Sequence, residues 1–128
     1  MTDMLAARAR QARANAYAPY SHFQVGAALL CDGGEIFTGC NMENASFGAT
    51  ICAERAAAAA AVCAGKRRFE AICIAAGDET VVPCGLCRQV LCEFGPDMLV
   101  LCCSKDAVKA YTLRELLPDA FSGFTPGM

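Results

Sequence analysis

Two short stretches, Cys52-Ala53-Glu54 and Pro83-Cys84-Gly85-Leu86-Cys87, constrain this chain more than any other feature, because each places cysteine at the start of a helix. Cysteines at i and i+3 on a helix lie on one face about a turn apart, so Cys84 and Cys87 can reach a single metal ion. Val81-Val82 reads as extended, and proline suits the first helical position, so Pro83 is expected to open a helix with both thiols in its first turn. There the unpaired N–H groups and the positive end of the helix dipole favour thiolate over thiol. Thr50 reads as the N-cap of another helix, which brings Cys52 to a second helix start.

Three cysteines and one glutamate in this arrangement can hold a metal ion and keep a carboxylate beside it, as hydrolytic zinc chemistry requires. A structural zinc site takes four protein ligands, whereas three leave one position open, which marks a catalytic site. Cys52 and Glu54 are two residues apart, so on a regular helix they point to nearly opposite sides. Their convergence is permitted by the tilt of side chains toward the N-terminus and is not required by the spacing. Three thiolates on Zn²⁺ make a net negative cluster that works against activating a bound water. The two helix dipoles and Arg55, which can donate to thiolate sulfur, are expected to offset that charge, with Arg88 the next candidate. The bland alternatives are three core cysteines and a surface carboxylate.

The rest of the chain reads as scaffold. Residues 2–15 form an amphipathic helix broken by Tyr17-Ala18-Pro19-Tyr20. Strands are expected over 23–31 and 35–41, joined at Asp32-Gly33-Gly34, with a loop over 42–50. A helix then runs from near Ile51 to Gly65, a buried strand covers 71–76, and a helix runs from Pro83 to Phe94, where Gly95-Pro96 stops it. Strands over 98–103 and 107–111 and a short helix over 113–116 complete the pattern. A hairpin followed by alternating helices and strands gives an α/β fold: a three-layer α/β/α sandwich with a mixed five-stranded sheet.

Length and composition set the class. A chain of 128 residues with 55% hydrophobic content is expected to be one domain over 1–128, small enough that further subunits would help it. The alanine run from Ala56 to Ala61 suits a helix packed closely against a neighbour. No leader peptide or membrane span is read, so the expected location is cytoplasmic. In a reduced compartment the ten cysteines divide into three metal ligands and seven packing residues. A net charge of −2, with Lys66-Arg67-Arg68 the longest basic run, argues against a nucleic-acid partner and for a small-molecule substrate.

Beyond the two cysteine stretches, Tyr20-Ser21-His22-Phe23-Gln24-Val25-Gly26-Ala27-Ala28, Gly39-Cys40-Asn41-Met42-Glu43-Asn44-Ala45-Ser46 and Cys84-Gly85-Leu86-Cys87-Arg88-Gln89-Val90-Leu91 stand out. Together they resemble the small, homotetrameric, zinc-dependent cytidine deaminases of the cytidine/deoxycytidylate deaminase family, from near the N-terminus to about Pro118. The resemblance implies hydrolysis of cytidine and 2′-deoxycytidine to uridine and 2′-deoxyuridine with release of ammonia, in pyrimidine salvage. It implies one Zn²⁺ per subunit on Cys52, Cys84 and Cys87, with Glu54 shuttling protons. It places Phe23 against the pyrimidine ring, Asn41 and Glu43 on a ribose hydroxyl, and the backbone at Ala53 and Cys84 on the base edge. His22, the single histidine, matches a position that does not bind metal.

The same resemblance makes the loop around Ala45 to Ala49 and the region of Phe124 reach across subunit boundaries. Two departures stand out. Phe47 replaces the usual tyrosine, losing its hydroxyl, and Leu86 replaces a commoner alanine between the metal thiols. The alternatives are deamination of another aminopyrimidine nucleoside, or a zinc-thiolate binding or redox module built on Cys84-Gly85-Leu86-Cys87.

Overall fold

The computed structural model describes residues 1–123, so Phe124 lies outside the described residues. Its elements are α1 (Thr2–Arg13), β1 (Gly26–Cys31), β2 (Ile36–Cys40), α2 (Ala53–Cys63), β3 (Phe69–Ala75), α3 (Gly85–Phe94), β4 (Leu99–Cys103), β5 (Val108–Thr112) and α4 (Leu113–Leu116), with a 3-10 turn at Phe47–Ala49. The strands form one sheet in the order β2-β1-β3-β4-β5. β3 and β4 run parallel, joined through α3, and the other three pairings are antiparallel. This is the expected mixed five-stranded sheet.

Both faces of the central strands are covered, which is why β1 is buried at every position. Alternation along the strands divides the core in two. Ala27, Leu29, Cys31, Ile72 and Ile74 face Ala57, Ala58 and Ala61 of α2 and Leu91 of α3. Ala28, Leu30, Ala71, Cys73 and Ala75 face Leu5, Ala6 and Ala9 of α1. A large aliphatic side chain sealed in this way contributes about 1.5–3 kcal/mol. Gly39 decides how closely α2 sits. A Cβ there would lie 2.5 Å from both the Ala53 carbonyl oxygen and the Ala57 nitrogen, so only glycine lets the first turn of α2 rest on β2.

Several boundaries differ from the sequence expectation, and two of them shape the site. Pro83 does not open α3. It is buried ahead of the helix, and Cys84 is the N-cap. Likewise Cys52, not Thr50, caps α2, because the chain stays extended through Thr50 and Cys52 and turns only afterwards. β1 starts at Gly26, leaving Phe23 to Val25 as irregular chain held by Asn41. The alanine run packs against the sheet of its own chain through Ala57, Ala58 and Ala61, leaving Ala59 and Ala60 exposed. Cys31, Cys73, Cys102 and Cys103 are buried as expected, whereas Cys63 is exposed. α4 carries an unforeseen capping box between Thr112 and Glu115. No described helix is long and apolar enough to cross a membrane.

Candidate active site

The three expected thiols converge. The Sγ atoms of Cys52, Cys84 and Cys87 all lie within 4.8 Å of one another, and among the described residues no other cluster of His, Cys, Asp and Glu is arranged to hold a metal. Cys52 and Cys84 are 3.9 Å apart, and Cys84 and Cys87 are 3.5 Å apart. Three thiolates on one tetrahedral zinc at about 2.3 Å would sit about 3.8 Å from each other, so the donor set fits the ion. Neither cap cysteine makes a side-chain capping bond, which leaves both sulfurs available and both helix starts rich in unpaired N–H groups.

Charge around the sulfurs is uneven. The Arg55 Nη2 donates to Cys52 Sγ at 3.5 Å, as expected of it. Cys52 is pushed down to about 5, first by its bond with the Cys87 thiol and then by Arg55, against the opposing effect of burial. Cys87 is pushed up, chiefly by its bond with Cys52 and then by burial. Arg55 Nε is buried with no partner among the described residues. Arg88 does not reach the sulfurs, contrary to its place as the next candidate: its guanidinium is committed to the carbonyls of Pro83 and Leu116.

Glu54, in the first turn of α2, is 5% exposed. Burial, with the Cys52 thiolate adding to it, raises its carboxyl to about 7, against the pull of its own backbone N–H and of Arg55. A carboxyl in that range can take up and release a proton at neutral pH. The question left open by the spacing of Cys52 and Glu54 is answered by the cap. Cys52 is outside the helix in an extended conformation, so both residues line one cavity of about 260 Å³ with Cys84.

Phe23, Asn41, Glu43 and Ala53 line the same cavity. The polar pair is already engaged. Asn41 Oδ1 accepts from the Val25 N–H at 2.9 Å, and its Nδ2 donates to the Phe23 carbonyl at 2.8 Å, which leaves one amide hydrogen free for a ligand. Glu43 accepts from the backbone N–H of Tyr20 at 2.9 Å, from that of Ser21 at 3.1 Å, and from the Ser21 hydroxyl. The Ser21 hydroxyl is the main cause holding the Glu43 carboxyl below the usual range.

Phe47, which is 72% exposed, stays off this cavity. It packs edge-on against Tyr20 at 5.6 Å and lines an adjoining hollow of about 210 Å³ that shares Ser21, Glu43 and Thr50 with the cavity. Ala45 is exposed in the same loop. Leu86 is exposed and His22 is exposed in a left-handed turn, and neither lines the cavity. Sequence reasoning missed Ser21 and Val82 as cavity residues. A hydroxyl facing a carboxylate 22 residues on leaves no periodic trace, and Val82 reads only as an extended residue before proline.

A family model described as the cytidine and deoxycytidylate deaminase zinc-binding region matches residues 2–103, which hold all three thiols and Glu54. The chain belongs to the cytidine and deoxycytidylate deaminase family. Within that family it is 46% identical over 123 residues to a cytidine deaminase of Sporosarcina psychrophila, covering 94% of this chain and 90% of that one. It is 47% identical over 120 residues to a cytidine deaminase of Mycobacterium tuberculosis strain H37Rv, covering 93% of this chain and 88% of that one. The crystal structure of the Burkholderia pseudomallei cytidine deaminase superposes with a TM-score of 0.90 at 44% identity, covering 94% of this chain and 99% of that one. The likeness extends beyond the matched family region, since these matches cover 93–94% of the chain.

Proposed function

We propose that this protein is a zinc-dependent cytidine deaminase. It hydrolyses cytidine and 2′-deoxycytidine to uridine and 2′-deoxyuridine with release of ammonia, and serves pyrimidine salvage in the cytoplasm as a single catalytic domain over 1–128. The observation that carries this reading is a buried carboxyl raised to about 7 in the same small cavity as two of three converging thiols.

Cys52, Cys84 and Cys87 hold one Zn²⁺ per subunit, which when bound supplies the Lewis acidity that makes water a nucleophile near neutral pH. Glu54 accepts one proton of the attacking water and delivers it to ring N3, then takes the second proton from the hydroxyl now on C4 and gives it to the amine, which leaves as ammonia as the C4 carbonyl forms. Its burial excludes bulk water from these transfers. Phe23 stacks on the pyrimidine ring at the cavity wall, and the backbone at Ala53 and Cys84 reads the base edge, beside the two helix starts. Glu43 and the free amide hydrogen of Asn41 bind a ribose hydroxyl. A substrate lacking that hydroxyl leaves the Asn41 amide hydrogen unpaired, which disfavours it.

The partner of this chain is itself: a homotetramer in which the loop of Ala45 and Phe47 and the region of Phe124 approach a neighbouring site. No nucleic acid or membrane enters the scheme. Cytidine loss followed by ultraviolet absorbance, alongside metal analysis, tests the proposal. Turnover that depends on bound zinc is expected, whereas a zinc-bound protein that releases no ammonia would fit a thiolate binding module instead.

A further inference from the structure

Cys84 is the exposed member of the thiol cluster, yet its sulfur is held 3.5 Å from Cys87 and 3.9 Å from Cys52. An exposed helix-cap residue has little packing to fix it, so some other contact must do so. Arg88 supplies it twice. Its backbone N–H donates to the Cys84 carbonyl at 2.9 Å, and its side chain turns back along α3 so that Nε donates to the Pro83 carbonyl at 2.7 Å. These carbonyls belong to the peptide groups on either side of the Cys84 Cα. Fixing both planes fixes the backbone dihedrals of Cys84 and the direction of its Cβ. Because a trans peptide points its C=O and N–H in opposite directions, the bond to Pro83 also turns the Cys84 N–H away from Arg88.

The third contact makes this a clamp between elements. Nη1 of Arg88 donates at 2.8 Å to the carbonyl of Leu116, one of the carbonyls left unpaired at the end of α4. Next to it, Gln89 Nε2 donates at 2.8 Å to the Phe121 carbonyl. Neither of the two ion pairs found among the described residues involves Arg88, so its hydrogen bonds serve the backbone.

We propose that Arg88 is a positioning residue for the metal centre: by clamping the Pro83 carbonyl to the end of α4, it holds Cys84 in its ligating geometry without touching metal or substrate. The inference rests on the zinc reading of the three thiols given above. Arg88→Gln removes the charge and the forked reach, and Arg88→Lys keeps the charge but can serve one carbonyl at a time. Arg114→Ala is the control, since it breaks the exposed ion pair of α4 with Asp97 and lies off the cavity.

The experiment loads each protein with zinc and measures its release to a chelator, the kcat and KM for cytidine, and the melting temperature of the metal-free form. Release from Arg88→Gln is expected to be about 10- to 100-fold faster than from wild type, with Arg88→Lys between them and Arg114→Ala unchanged. The loss should fall on kcat more than on KM. If Arg88→Gln does not fold without metal, Arg88→Lys carries the same comparison. Wild-type release from the Arg88 variants, or equally fast release from Arg114→Ala, would overturn the role of Arg88. A wild-type protein that takes up no zinc would instead overturn the reading on which it rests.

Discussion

The two walls of the cavity differ in kind. One is made of helix starts, with Ala53 fully buried and Glu54 nearly so. The other is made of loop residues, where Phe23 is 47% exposed, and it continues into the adjoining hollow of Phe47 and Tyr20, which are 72% and 50% exposed. On the proposed function, the contrast means that proton handling and metal binding are assembled inside one chain, whereas the wall that meets the nucleoside is left open. Exposed aromatic rings side by side mark a surface suited to a partner. On the proposed function that partner is another copy of this chain.

Perturbing the buried wall should give the largest effects. Glu54→Gln keeps the shape and leaves the thiols untouched but cannot carry a proton, so cytidine turnover should fall by about 10²- to 10⁴-fold with zinc content unchanged. Activity within tenfold of wild type would remove Glu54 from the mechanism. Arg55→Gln should act on the same wall through charge, since it takes away the donor to Cys52. Zinc affinity or turnover should drop about 10- to 100-fold, read by metal competition and kinetics, and unchanged values would assign the charge balance to the helix dipoles alone.

The open wall should respond more weakly. Ser21→Ala removes the main contact holding the Glu43 carboxyl down. The sign follows from that direction: a lowered carboxyl stabilises the loop above the ordinary value of 4.5, and the contribution is lost as pH falls through the lowered one. In Ser21→Ala the Glu43 titration, followed by carboxyl NMR, should move back toward the ordinary value. KM for cytidine should rise roughly threefold with kcat held. A titration that does not move would show that the backbone N–H groups of Ser21 and Tyr20 suffice.

The same contrast explains what the sequence made legible. The thiols and Glu54 were readable because metal ligation demands particular residue types at particular spacings, and the central strands because they are short, nearly continuous apolar runs bounded by turns. The caps were misread for a physical reason. Cap preferences favour residues such as Thr50 whose side chain bonds to the helix start, and Cys52 and Cys84 cap without making that bond. Asn41 was read as a ligand for sugar, and half of its side-chain hydrogen-bonding capacity also braces Phe23 and Val25, a use that depends on contacts across 16 and 18 residues. Arg88 was read by its charge, whereas its function in the fold is set by two carbonyls, one of them 28 residues away.

The contrast between the two walls is tested most directly by activity and zinc content measured together over a dilution series, with light scattering to follow the assembly. The account predicts that dissociated chains keep their zinc on Cys52, Cys84 and Cys87 but lose turnover of cytidine, because the open wall has lost its cover. A monomer that turns over cytidine at the full rate would contradict it.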